Sequence, residues 1–156
     1  MTTHRGTEEL TFMKTLGFTA LVLAMTIGVV ADGVPTVVTY VPNSKVTEVM
    51  TKGGEIVNDK GLIILANRRG AGEVEVHDKT NHIFIIVEGE ATFVTGGTLV
   101  GAKNTAPGQI RASSVDGGHT HQLRKGDVIT IPAKTPHWWK EVSTRTIAYY
   151  AINTEP

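Results

Sequence analysis

Gly72-Glu-Val-Glu75-Val-His77-Asp-Lys-Thr-Asn-His82-Ile-Phe-Ile-Ile-Val-Glu-Gly89 is the stretch whose reading decides the fold. Gly126-Asp-Val-Ile-Thr-Ile-Pro132-Ala-Lys-Thr-Pro136-His137 is its complement further along. Side chains alternate across a strand with a period of two. On that rule Val74 and Val76 face away from Glu73, Glu75 and His77, while His82, Phe84 and Ile86 share one face of the next strand. Residues 78–81 turn the chain between these strands. Residues 83–87 and 91–95 flank Glu88-Gly-Glu, which reads as a hairpin. A carboxylate and two imidazoles thus fall on strand faces within eight positions of each other, a pattern suited to holding a metal.

Working outward, the chain has 156 residues, the length of one ordinary domain. Lys and Arg balance Asp and Glu at a formal net charge of zero, and the nearest approach to a basic run is Asn67-Arg68-Arg69. A nucleic-acid partner would need a basic stripe, so none is expected. Seventeen glycines favour a turn-rich β protein over a helical bundle. Cysteine is absent, which excludes disulfides and thiolate metal sites, so any metal must be held by nitrogen and oxygen.

The N-terminal region reads as an export signal. Met13-Lys14 precedes an apolar run over residues 16–31 that ends in Val29-Val30-Ala31, small residues where a signal peptidase cuts. Glu8-Glu9 upstream suits a signal poorly, which makes Met13 an alternative start. Retention of the run as a membrane anchor is the rival reading, but the run holds glycine and threonine and is marginal in length for a span. Residues 1–31 are therefore assigned to the signal region and 32–156 to a single mature domain, periplasmic or secreted, with no membrane contact after cleavage. His4 lies before the signal and carries no role.

In the mature chain, residues 32–42 read as an edge strand or extended arm. Asn43-Ser44 offers an N-cap, residues 45–52 make a short helix with Val46, Val49 and Met50 on one side, and Gly53-Gly54 stops it. The rest is β in character. Residues 62–65 read as a short buried strand, 128–131 as a strand entered from the turn at 123–127, and 138–142 with 146–152 as closing strands. Residues 96–118 are rich in glycine and read as a long loop with one short strand at Gln109–Ala112. Short strands at regular spacing with one small helix argue for a sandwich or barrel.

The two quoted stretches resemble the paired motifs of the cupin superfamily over residues 60–150. The first family motif is His-x-His, three or four residues, Glu, six residues, Gly. Here the corresponding positions hold Glu75, His77, His82 and Gly89. The second is Gly-x5-Pro-x-Gly-x2-His-x3-Asn. Here Gly126, Pro132 and His137 match, Lys134 stands at the second glycine and Glu141 at the asparagine. The resemblance implies an all-β jelly-roll barrel with one short N-terminal helix, and one divalent metal inside it. Glu75, His77, His82 and His137 would supply three imidazoles and one carboxylate, the family's charge count with the carboxylate at another corner. Glu75 has a second possible role, hydrogen-bonding a ligand from outside the coordination shell. Zinc, iron, nickel, manganese and copper all suit such donors, and spacing does not choose among them.

Other residues take supporting roles. Trp139 and Glu141 share parity with His137 and should point inward to line a substrate pocket together with Phe84. Both aromatics serve equally well as core. Trp138 should face outward. His119 and His121 share a strand face and read as a solvated edge away from the metal. Two functions are consistent with these readings. One is a secreted metal-dependent enzyme on a small organic molecule, dioxygenase-like first and isomerase or lyase next. The other is a non-catalytic module that binds a sugar or other small molecule around a structural metal. A homodimer is expected from the family, and residues 32–42 would suit its interface.

Overall fold

A computed structural model describes residues 37–155. The proposed signal over residues 13–31, and His4, lie outside the described residues. Residues 37–42 carry no regular structure, and Val37, Val38 and Tyr40 are exposed, so this part of the expected arm is not a strand. The single helix among the described residues, α1 (Asn43–Lys52), follows, with Val46, Val49 and Met50 half-buried on one side. It begins one step earlier than an Asn43-Ser44 cap would give. Pro42 is the N-cap, and its carbonyl accepts from the Lys45 and Val46 amides at 2.9 and 3.2 Å, with no side-chain cap. Gly53 closes the helix at φ +73°, its amide donating to Val49 O at 2.8 Å.

The remaining elements are thirteen strands: β1 (Gly54–Asp59), β2 (Leu62–Arg69), β3 (Val74–His77), β4 (Asn81–Glu88), β5 (Glu90–Thr95), β6 (Thr98–Val100), β7 (Lys103–Ala106), β8 (Gln109–Ala112), β9 (Ser114–Asp116), β10 (His119–Arg124), β11 (Val128–Ile131), β12 (His137–Val142) and β13 (Ile147–Thr154). Five form one sheet in the order β1-β2-β13-β4-β11. Six form a second in the order β10-β5-β12-β3-β8-β7, and β6 pairs with β9. From β2 to β5, and again from β10 to β13, each successive strand lies in the sheet opposite the one before it. This shuttling makes the architecture an all-β jelly roll, as the motifs implied.

Two local expectations change as a result. Glu88-Gly-Glu is not a hairpin, because β4 lies between β13 and β11 while β5 lies in the other sheet. Each strand carries one apolar face, and those faces cover each other across the sandwich rather than lying edge to edge. Gly89 makes the corner at φ +89°, where an added Cβ would stand 2.5 Å from Thr146 O and 2.7 Å from Thr144 Oγ1. Residues 96–118 are also not a long loop. They fold as nested pairs, β6 with β9 and β7 with β8, and β8 joins β3. The strand at 109–112 is as expected. Its neighbour β7 is exposed along its whole length and has no apolar alternation to betray it.

The core between the sheets is aromatic. Trp139 packs within 4.4 Å of Phe93 and 4.8 Å of Tyr149, and its ring is stacked on Phe84 at 5.8 Å. Ile86, Ile131, Ile147 and Leu123 fill the end of the sandwich around them. Offset and tilted contacts of this kind add about 0.5–1.5 kcal/mol per pair beyond the burial itself. This packed end forms the floor on which the polar residues of the motifs stand.

Candidate metal centre

His77 ends β3, His82 opens β4 and His137 opens β12, so the three imidazoles meet at one end of the sandwich. Their ring centroids are 4.9 Å apart for His77 and His82, 5.1 Å for His82 and His137, and 5.3 Å for His77 and His137. One ligand nitrogen from each lies within 4.8 Å of the others. His82 and His137 are buried, and His77 is partly open to solvent.

The hydrogen bonds behind the rings give the cluster its sense. His82 Nδ1 donates to Asn153 Oδ1 at 2.8 Å, His137 Nδ1 donates to Thr135 O at 3.0 Å, and His77 Nδ1 contacts Gln109 Oε1. Amide and backbone oxygens only accept, so each neutral ring carries its proton on Nδ1 and presents the Nε2 lone pair. Strand pairing places two of these partners. Gln109 stands directly opposite His77, and Asn153 directly opposite His82. His82 Nε2 is buried with no hydrogen-bond partner. Burial pushes His137 down to about 4 and lowers His82 from its ordinary value, against the opposing pull of Thr135 and Asn153. Neutral imidazoles with fixed tautomers and an orphaned buried nitrogen are the donor set a divalent transition metal takes. The residues therefore fit such an ion.

Glu75 lies beside this group in the row Arg111–Glu75–His137 across β8, β3 and β12. Its carboxylate faces Arg69, which donates from Nη1 to Oε1 at 2.8 Å. Oε2 lies 3.5 Å from His77 Nε2 and 3.7 Å from Arg111 Nη2. Burial alone would raise the Glu75 carboxyl, but the neighbouring His77, the bond from Arg69 and the charges of Arg69 and Arg111 hold it well below the usual carboxylate range.

A cavity of about 190 Å³ opens onto the triad. Phe84 and Trp139 line it, as expected, while also belonging to the core. Glu141 does not. A bulge in β12 shifts the pairing with β5 between Trp139 and Glu141, so that Trp139 opposes Phe93 and Glu141 opposes Thr92. The extra residue reverses the parity, Val142 turns toward the core and Glu141 is exposed. Trp138 faces the other way and donates from Nε1 to Gly72 O at 2.6 Å. His119 and His121 lie on the edge strand β10, outside the triad, with His121 Nε2 2.9 Å from Thr95 Oγ1. Lys134, at the family's glycine position, takes φ +66°, and the turn it completes returns its amide to His77 O at 2.8 Å.

Sequence reasoning missed Arg69, Gln109, Arg111, Tyr149 and Asn153. They belong to β2, β8 and β13, whose partners depend on sheet order. The readable signal was parity. Leu65, Asn67 and Arg69 share one face of β2, and Tyr149, Ala151 and Asn153 one face of β13, and all six line the cavity.

A family model described as cupin matches residues 61–156. No curated protein matches the chain. Among solved structures, the chain is similar to the protein BH2720 from Bacillus halodurans, at 16% identity over 80% of this chain and 86% of that one, with a TM-score of 0.54. It is also similar to an RmlC-like cupin family protein with a double-stranded β-helix fold from Methanocaldococcus jannaschii, at 11% identity, 66% and 78% coverage and a TM-score of 0.44. The iron(II) form of HppE shares 17% identity over 65% of this chain and 49% of that one, with a TM-score of 0.46.

Proposed function

The chain belongs to the cupin family, and we propose that within it this protein is a metal-dependent enzyme acting on a small organic molecule. The observation that carries the reading is the locked tautomer of His77, His82 and His137, each Nδ1 satisfied from behind and His82 Nε2 left without a partner. Three imidazoles fill three positions of a divalent ion and leave the others to a ligand arriving through the cavity. When bound, the ion supplies Lewis acidity and, if it is redox-active, electron transfer with dioxygen as oxidant. Dioxygenase-like oxidation is the first choice of reaction and isomerase or lyase chemistry the second. Phe84, Trp139 and Leu65 give the cavity apolar lining that keeps water from part of the ligand, and Asn67 and Asn153 offer it polar contacts. Glu75 contributes a negative charge beside the triad, held in place by Arg69.

Elemental analysis and chelator competition on purified protein test this reading. One divalent ion per chain is expected, lost in His82→Ala and His137→Ala variants that remain folded. A protein that takes up no zinc, iron or manganese at neutral pH would overturn it. A metal that stays in one oxidation state in air, with no exchangeable water, would replace the oxidase reading by a binding module with a structural metal. Export belongs to the same proposal and rests on residues 13–31. Mature protein recovered from a periplasmic fraction should have an intact mass starting near Asp32, and material retaining residues 16–31 would refute cleavage.

A further inference from the structure

The metal reading uses Arg69 only to hold Glu75 in place, which leaves part of its hydrogen-bonding capacity without a role. Arg69 lines the cavity wall beside the triad, and its side chain is 30% exposed. A guanidinium has five N–H donors. One Nη1 proton goes to Glu75 Oε1 at 2.8 Å, Nε makes only a long contact of 3.4 Å to Gly70 O, and the Tyr149 hydroxyl takes a further bond. The guanidinium lies under Gly72, where an added Cβ would stand 2.5 Å from Nη2, so the missing side chain is what lets Arg69 reach this position. Two or more of its N–H donors therefore remain for a ligand in the cavity that it lines.

The local charge points the same way. Arg69 and Arg111 flank the single carboxylate of Glu75, which leaves one positive charge in excess beside the triad. A bound divalent ion adds to that excess. A neutral ligand gains nothing from such a field and a cation is repelled, whereas an anion is attracted. Elsewhere in the lining, Leu65, Phe84, Trp139 and Ala151 are apolar. The cavity, at about 190 Å³, is somewhat larger than the roughly 150 Å³ that holds a benzene.

We propose that the cavity takes a small organic carboxylate, its anionic group held by Arg69 beside the His77–His82–His137 triad and its body against Phe84 and Trp139. The planar fork of arginine matches a carboxylate in two-point contact, and the apolar side chains of Phe84 and Trp139 give its organic body a place that inorganic phosphate cannot use. Glu75 is the internal occupant of the same donors. It keeps Arg69 satisfied when no ligand is present and shares it when one arrives. Gly72 is a positioning residue, since it sets where the guanidinium lies.

The inference rests on the triad being the ligand site, and the experiment separates the two. Binding of benzoate and glycolate, and of their neutral counterparts benzamide and glycolamide, is measured by calorimetry on the full-length protein, metal-free and zinc-loaded. At least one carboxylate should bind at least tenfold more tightly than its amide and more tightly than inorganic phosphate. Arg69→Gln should abolish that preference in the metal-free form and reduce it at least fivefold in the zinc-loaded form, where the ion itself still attracts an anion. Arg69→Lys, which keeps the counter-charge for Glu75, should retain charge preference but lose at least fivefold in affinity. Gly72→Ala should weaken carboxylate binding without changing zinc stoichiometry. The inference is overturned if neither carboxylate binds, if amide or phosphate binds as well, or if folded Arg69→Gln and Arg69→Lys proteins bind carboxylate with unchanged affinity. Zinc uptake measured in parallel reads the underlying site: uptake without Arg69-dependent carboxylate binding sinks this inference alone, and no uptake sinks the metal reading.

Discussion

Replacing Asn153 by leucine removes the acceptor behind His82 while keeping the side-chain volume. In the folded protein His82 Nδ1 donates to Asn153 Oδ1 at 2.8 Å, and the ring is only 7% exposed. Water has little access to that proton, so losing the acceptor leaves a buried donor unpaired. This costs about 1–3 kcal/mol of stability. It also frees the ring to turn and to exchange tautomers, and such partners typically govern metal affinity by about 10–100-fold, equivalent to about 1.4–2.8 kcal/mol. Zinc affinity of Asn153→Leu, measured by chelator competition at pH 7.5, should fall within that range. Asn153→Asp should move the other way, because a carboxylate behind the imidazole makes Nε2 a better donor. Long-range nitrogen–proton NMR on the metal-free protein should show His82 protonated on Nδ1 in the parent and as a tautomer mixture in Asn153→Leu. A folded Asn153→Leu protein with parental zinc affinity and an unmixed tautomer would refute the argument that the back-side bond sets the site.

Three further outcomes are expected. Lys134 occupies the third position of the turn closed by the Thr135 amide on Pro132 O, with φ +66°, which that turn type reserves for glycine. Relief of the left-handed strain outweighs the added unfolded-state freedom, so Lys134→Gly should gain about 0.5–1 kcal/mol in urea unfolding, and a less stable variant would count against the strain. Metal-free protein should lose stability as pH falls from about 6.5 toward 4, because His137, pushed down to about 4 by burial, stays neutral in the folded chain while it protonates in the unfolded one. The unfolded state therefore binds more protons in that window, and the His137 contribution is about 3 kcal/mol; unfolding midpoints equal at pH 7.5 and 4.5 would contradict it. Glu75→Gln removes the carboxylate between Arg69 and Arg111, and if Glu75 acts only as their counter-charge zinc affinity should change less than threefold, whereas a loss of tenfold or more would make Glu75 a ligand.

The motif spacing carried the reading of the centre a long way. Counting back from Gly89 and forward from Gly126 placed His77, His82 and His137 at equivalent corners, and the fold brings their rings together. Parity arguments held as long as the strands were regular, as for Phe84 and Trp139. They failed at Glu141 because a bulge is a local insertion against a partner strand, and nothing in Trp138-Trp139-Lys140-Glu141 announces it. Gln109 and Asn153 were illegible for another reason. Each acts through the residue opposite it in the sheet, 32 and 71 positions away in the chain, and strand order does not follow sequence order. The corner at Gly89 was misread as a hairpin because a tight glycine turn looks the same whether the next strand pairs beside the last or crosses to the facing sheet.

That crossing has a mechanical consequence. His77 and His137 belong to the six-stranded layer and His82 to the five-stranded one. An ion shared by all three acts as a rivet between the two layers, fastened at the open end of the sandwich opposite the aromatic packing. Prising the layers apart at that end must break the coordination, and releasing the ion must let the end loosen. The metal-free protein should then breathe at one end only, with β4 and β12 exchanging their amide protons there while the Trp139 floor stays closed. On that reading, occupancy by metal would set how readily this end of the sandwich opens.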